Sequence, residues 1–98
     1  MKTTALLTLA LALTVSPETA LAKGMRGETV FKTKCAMCHP NGSNVMNPKL
    51  TLRGMRNSKI IIDKIRTGGG GMTAFDRKTI SDADAKAVAA YIIKTFSK

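Results

Sequence analysis

Hydrophobic residues recur at helical spacing in three separate stretches of this chain, and no stretch shows the strict alternation of a half-buried β-strand. The predicted helices cover residues 28–34, 59–67 and 82–96. Segments rich in glycine, proline and asparagine separate these helices, and no internal repeat or second domain follows. The pattern therefore predicts a small all-α fold of three to four helices.

Capping residues mark the ends of the second and third predicted helices. Asn57 or Ser58 can cap the second helix, and Gly68 ends it. Ser81 directly precedes the third helix, with Asp84 three residues later as in a capping box. Both helices are thus bounded by recognisable local signals.

The second predicted helix has one apolar face and one charged face. Ile61 and Ile65 lie one turn apart with Ile62 beside them, whereas Lys64 and Arg66 are expected to face water. Packing in the hydrophobic core is the default explanation for these isoleucines. Packing against a bound cofactor would be a special case of it.

The N-terminus has the pattern of a secretory signal peptide. A basic start precedes an almost wholly apolar run at 5–15, and the small residues at 20–22 form a cleavage site. The run is too short to span a bilayer comfortably, so we expect cleavage and no stable membrane insertion. The sequence predicts a signal peptide at 1–22 and one domain at 23–98.

Charge and size limit what this domain can be. Residues 23–98 keep fifteen Lys and Arg against five Asp and Glu, because one Lys and one Glu lie in the leader, and the formal charge stays at +10. Such an excess favours docking to acidic protein or membrane surfaces. Export and the lack of a nucleic-acid-binding motif argue against nucleic acid. A 76-residue domain with four aromatic residues is also marginal alone, which weakly favours a cofactor in its core.

The chemistry of the chain is concentrated in Cys35-Ala36-Met37-Cys38-His39, which holds both cysteines and the single histidine. Two thiols three positions apart followed by an imidazole is the pattern for covalent attachment of a c-type haem. Residues i and i+3 share a face of a helical turn, so both sulfurs can form thioethers to one porphyrin. His39 is then the expected proximal iron ligand.

Other interpretations of the same residues are weaker. A structural zinc site needs four ligands, and no further cysteine or histidine remains after these three. A thioredoxin-like dithiol would need a βαβ setting, which the pattern does not show. A disulfide between Cys35 and Cys38 would close too short a loop to restrain the chain much.

Residues 40–48 are predicted to form a loop after His39, because proline, glycine, asparagine and serine dominate there. A haem-ligating histidine needs a partner for its second ring nitrogen, commonly a backbone carbonyl. Pro48 is the predicted source of that carbonyl. Leu50 and Leu52 are predicted to cover the haem rim.

Met72 is the predicted sixth iron ligand. It follows the glycine run 68–71, where the backbone can approach a haem closely between two helices. A lone methionine is usually core filler, and Met46 and Met55 remain possible ligands. The position of the glycine run favours Met72.

With these motifs in place, residues 23–98 resemble the class I c-type cytochromes, in particular the small cytochrome c6-like proteins. The resemblance implies an all-α fold wrapped around one covalent haem c, with Phe75 packed against it. It also implies that the first and last helices cross at Gly27, Phe31 and Tyr91. The matching segments are the attachment motif, Pro48 to Leu52, Gly71-Met72-x-x-Phe75, Ser81-Asp82 and the Ala-x-Tyr-Ile at 89–92.

The resemblance further implies a soluble electron carrier rather than an enzyme. We expect a monomer in the periplasm, or in an equivalent compartment such as the thylakoid lumen, that serves redox protein partners. A different function stays open: without Met72 on the iron, a five-coordinate haem could bind a small gas or peroxide as a sensor or weak peroxidase. The Gly71-Met72 loop is the sequence feature that distinguishes the two.

Cations are concentrated between the two predicted iron ligands, in the segment expected to border the haem. We expect them to guide a partner with an acidic docking surface. Six cations stand there against the single Asp63: Lys49, Arg53, Arg56, Lys59, Lys64 and Arg66.

Overall fold

The computed structural model describes residues 26–97, and this part of the chain is helical without a β-strand. The predicted all-α class is thereby confirmed. The elements in chain order are α1 (residues 26–30 and the π-helical turn Phe31–Cys35), a 3₁₀ turn (Pro40–Gly42), α2 (Ser58–Thr67) and α3 (Asp82–Phe96).

The predicted signal peptide, residues 1–22, lies outside the described residues. Between residues 26 and 97, no helix has both the length and the apolar character needed to cross a membrane. The predicted loop 40–48 is irregular except for the 3₁₀ turn at its start.

Side-chain caps set the helix ends as predicted. Asn57, rather than Ser58, caps α2, because its Oδ1 accepts the Ile60 N–H at 3.1 Å. The Ser81 hydroxyl accepts the Asp84 N–H at 3.1 Å at the start of α3. The carboxylate of Asp84 lies 3.3 Å from Nε of Arg26, so this residue also ties α3 to α1.

The last turn of α1 is wider than an α-helical turn. The Ala36 N–H donates to the Phe31 carbonyl at 2.8 Å, a bond that spans five residues. Single π-helical turns of this kind occur often at functional sites. Both Phe31 and Cys35 are buried at this end of the helix, which directs α1 and the first cysteine into the core.

The core lies between α2 and α3. Ile61 and Ile65 are 4% and 3% exposed, which confirms the predicted apolar face of α2. They belong to one cluster with Val88 and Ile92 of α3 and with Ile80 just before it. α1 and the 3₁₀ turn pack on α3 as well, so the last helix is the element that organises the fold.

The first and last helices cross where predicted. A Cβ on Gly27 would overlap the Ala87 carbonyl and come within 2.9 Å of Tyr91 Cβ, so this contact requires glycine. The ring centroids of Phe31 and Tyr91 are 5.5 Å apart. Phe96, which lies outside the predicted crossing, completes the cluster with its ring centroid 5.2 Å from that of Phe31. The crossing places Cys35 beside α3.

Candidate cofactor site

A cavity of about 570 Å³ lies between the end of α1, the segment 44–55, α2 and the loop before α3. Cys35, Cys38, His39 and Met72 all line this cavity, so the structure brings the predicted attachment and ligand residues to one place. Its size falls within the range of about 300–1,000 Å³ that cofactor sites occupy. The five residues predicted to pack against a haem also line it: Leu50, Leu52, Ile61, Ile65 and Phe75.

The attachment motif forms a tight turn directly after α1. The N–H groups of Cys38 and His39 both donate to the Cys35 carbonyl, at 3.1 and 2.9 Å. This turn holds two thiols and an imidazole at one end of the cavity. Both cysteines are free thiols, as thioether formation requires, with Cys35 buried and Cys38 exposed.

The two thiols differ in their surroundings. Burial raises the pKa of the Cys35 thiol to about 11, and the nearby Cys38 adds to the rise. Cys35 is therefore a neutral, core-facing thiol at physiological pH, whereas Cys38 sits at the exposed mouth of the cavity.

His39 is held by a different carbonyl from the predicted one. Its Nδ1 lies 2.8 Å from the Ser43 carbonyl oxygen, so the prediction of Pro48 is wrong in this structure. Asn41, in the left-handed region at φ 55°, turns the chain back so that Ser43 follows the 3₁₀ turn close to the ring. Pro48 lies in an exposed turn farther on. Because a carbonyl can only accept, Nδ1 carries the proton and Nε2 is left as the possible metal ligand.

Met72 stands at the end of a two-residue turn. Gly69 N–H donates to the Met72 carbonyl at 2.9 Å, and Met72 N–H donates to the Gly69 carbonyl at 3.1 Å. The central residues, Gly70 and Gly71, have φ of 64° and 92°. Positive φ at both positions is the geometry of a type I′ turn, for which glycine is favoured. The glycine run thus presents Met72 in a defined backbone conformation.

Three further methionines line the same cavity, Met37 of the attachment motif, Met46 and Met55. The Met46 Cε methyl lies 3.1 Å from the position a Cβ would take on Gly71. Met46 is 64% exposed. The contact between Met46 and the turn of Met72 joins residues far apart in the chain, and no local sequence signal indicates it.

The prediction that Arg66 faces water is wrong. Its side chain is only 16% exposed, and Nη1 donates to the carbonyls of Ile80 at 2.7 Å and Phe75 at 3.2 Å. Its Nη2 donates to Asp82 Oδ1 at 2.8 Å. Hydrogen bonds from Arg77 first, and from Arg66 second, hold the pKa of Asp82 below its usual value. Arg66 therefore joins α2 to the segment that follows Met72.

The other five cations of the predicted docking segment are exposed. Lys59 pairs with Asp63 at 2.8 Å, and Arg53 donates to the Asn41 carbonyl at 3.0 Å. Lys64 lines the cavity, as does the exposed Lys34 of α1. The mouth of the cavity thus has cationic side chains on two of its walls.

The cavity fits a haem in its chemistry. One end offers two thiols and an imidazole, the walls are mainly aliphatic and aromatic, and a thioether is available from the glycine turn. The described residues hold no cluster of three or more His, Cys, Asp or Glu side chains arranged around a metal ion. An apolar cavity lined by an imidazole and by a methionine thioether suits an iron porphyrin.

Comparison with known proteins gives consistent matches. Residues 22–92 match the family described as cytochrome C oxidase, cbb3-type, subunit III. Cytochrome c6 of Synechocystis sp. is 36% identical, in a match covering 82% of this chain and 72% of that protein.

Solved structures show the same fold. Outer membrane cytochrome F (OmcF) from Geobacter sulfurreducens superimposes with a TM-score of 0.66 at 36% identity, covering 71% of this chain and 98% of that one. Cytochrome c6 from the diatom Phaeodactylum tricornutum gives a TM-score of 0.67 at 34% identity, covering 72% of this chain and 91% of that one.

Proposed function

The chain belongs to the c-type cytochromes, as a small class I member similar to cytochrome c6, and we propose that it shuttles single electrons through a haem ligated by His39 and Met72. Proteins of this family carry one covalent haem c and act in electron transfer rather than as enzymes. The single observation that carries the ligand proposal is that one cavity is lined by Cys35, Cys38, His39 and Met72.

Cys35 and Cys38 are the residues proposed to hold the haem through thioethers. Their turn is fixed by two hydrogen bonds to one carbonyl, so the backbone that carries the two thiols is ordered before any thioether forms. The aliphatic walls, including Ile61 and Ile65, exclude water from the cofactor. When bound, the haem supplies a reversible one-electron couple at its iron.

His39 and Met72 are the residues that would ligate the haem iron. The hydrogen bond from Nδ1 to Ser43 orients the imidazole and favours Nε2 as the ligating atom. The type I′ turn presents the Met72 thioether from another wall of the cavity. A thioether ligand favours ferrous iron and raises the reduction potential, and two protein ligands leave no open position for a substrate.

The exposed mouth of the cavity is the proposed docking surface for redox proteins. Met37 and Leu50, which are 90% and 64% exposed, line it together with Lys34 and Lys64. Apolar contact supports a short-lived complex, while the lysines attract an acidic partner and speed association. We also propose that Lys49 contributes to this attraction.

The cellular setting is proposed from the N-terminal sequence. Residues 1–22 have the features of a cleaved export signal, which supports a location in the periplasm or in an equivalent compartment such as the thylakoid lumen. There it acts as a soluble monomer.

The visible spectrum of methionine variants tests the proposed ligation. The ferric protein should show the weak sulfur-to-iron band at the near-infrared edge, and Met72→Ala should abolish it and lower the reduction potential. Met46→Ala and Met55→Ala are matched controls, because both residues line the cavity, and they should keep the band. If Met72→Ala keeps the band and either control loses it, the proposal of Met72 is wrong and the methionine replaced in that control is the ligand.

A further inference from the structure

We propose that Arg66 is a positioning residue for the sixth iron ligand: it holds the segment after Met72 against α2 and so limits displacement of the thioether by external ligands. This inference rests on the proposed ligation by Met72. It concerns a residue outside the cavity wall, which acts through the backbone that carries the ligand.

The segment after Met72 is fastened to α2 by two successive residues. Phe75 N–H donates to the Ile65 carbonyl at 2.8 Å, and the Phe75 carbonyl accepts from Arg66 at 3.2 Å. The same guanidinium donates to the Ile80 carbonyl and to the Asp82 carboxylate. One side chain thus joins three points between Phe75 and the start of α3.

The segment before Met72 is held by backbone hydrogen bonds and has few side-chain contacts to stabilise it. All four residues from Gly68 to Gly71 have positive φ, between 64° and 100°, and glycine has wide conformational freedom in the unfolded or opened loop. Two exposed side chains reach this segment: Lys64 Nζ donates to the Gly69 carbonyl at 3.1 Å, and the Met46 methyl lies beside Gly71. Exposed contacts of this kind contribute little, whereas a planar, mostly buried guanidinium with several acceptors is held strongly. The side-chain restraint on the segment that carries Met72 therefore lies mainly with Arg66.

Arg77 provides a matched control. Its Nε contacts the two oxygens of Asp82 at 3.0 and 3.2 Å, and its side chain is 72% exposed. Substituting Arg77 removes the same charge and one partner of the same carboxylate. It leaves the bonds from Arg66 to the Phe75 and Ile80 carbonyls in place.

Imidazole titration of the ferric protein tests the proposal, with loss of the sulfur-to-iron band as the signal. Losing charge-assisted bonds to the Phe75 segment should make Arg66→Gln bind imidazole about tenfold more tightly than wild type. Arg77→Gln should stay within about twofold, the range of an exposed contact. If Arg66→Gln does not yield mature protein, Arg66→Lys can be used, because lysine keeps the charge without the planar guanidinium. This variant should bind imidazole at least about threefold more tightly than wild type.

Unchanged imidazole affinity in the Arg66 variants, or an equal rise in Arg77→Gln, would overturn the proposal. Amide hydrogen exchange at Phe75 tests whether Arg66 holds this segment independently of whether Met72 ligates the iron. If the wild-type spectrum lacks the band, ligation by Met72 fails. Faster exchange at Phe75 in Arg66→Gln but not in Arg77→Gln would still show that Arg66 holds this segment. Equal exchange rates in the two variants would refute the role of Arg66 in holding the segment.

Discussion

Replacing Tyr91 by alanine tests the crossing of α1 and α3, on which the position of Cys35 depends. The Tyr91 ring lies 5.5 Å from that of Phe31, tilted by 46°, and 6.1 Å from that of Phe96, edge-on. Its Cβ also borders the close contact at Gly27. The substitution therefore removes two of the three ring pairs in this cluster, one that joins α1 to α3 and one within α3.

The expected loss follows from these contacts. Two aromatic pairs contribute about 1–3 kcal/mol beyond the area they bury. The ring is half-buried rather than fully buried, so lost burial adds only about 1 kcal/mol. The free energy of unfolding should thus fall by about 2–4 kcal/mol, which in a domain of this size lowers Tm by about 10–25 °C.

Thermal unfolding of the ferric, haem-loaded protein, followed by far-UV circular dichroism, measures this loss. Tyr91→Phe is the control, because it keeps both ring pairs and should stay within about 0.5 kcal/mol of wild type. A Tm of Tyr91→Ala within about 3 °C of wild type, well below the expected fall of about 10–25 °C, would show that the crossing does not stabilise the fold. An equal fall in Tyr91→Phe would assign the effect to the hydroxyl instead.

Two further predictions concern charge. Hydrogen bonds from Arg77 and Arg66 lower the pKa of Asp82 in the folded state. The contribution of Asp82 to stability is therefore present above the ordinary carboxyl pKa of 3.8 and is lost as the pH falls through the lowered pKa. Asp82→Asn should lose less stability than wild type between neutral and strongly acid pH, and parallel pH profiles of the two proteins would contradict this. Lys34→Glu, at the cavity mouth, should slow electron transfer with an acidic partner and weaken the salt dependence of the rate. Lys94→Glu, which changes an exposed lysine of α3 outside the cavity, should change the rate little. A wild-type rate that is flat from low to high salt would refute charge-guided docking.

Local signals in the sequence account for the helices and for the attachment motif. Asn57 and Ser81 cap their helices through bonds to residues three positions away, which is a distance that sequence patterns report well. The spacing of Cys35, Cys38 and His39 likewise depends on a single turn. These features could be predicted because each is complete within a few residues.

The partners of His39 and Arg66 could not be predicted in the same way. Whether Ser43 or Pro48 meets the imidazole depends on the backbone direction after Asn41, and a left-handed asparagine leaves no firm mark in the sequence. Arg66 sits on the charged face of an amphipathic helix, where exposure is the usual outcome. Its acceptors follow nine to sixteen residues later, so only the folded chain brings them to it.

Carbon monoxide binding to the ferrous protein tests the central claim most directly, namely that His39 and Met72 close both axial positions of a haem that transfers electrons. The wild-type protein should show no change in its visible spectrum when carbon monoxide is added, whereas Met72→Ala should bind it at once and serve as the positive control. Binding by the wild-type protein as readily as by Met72→Ala would contradict the account, and would favour a five-coordinate haem that binds small ligands.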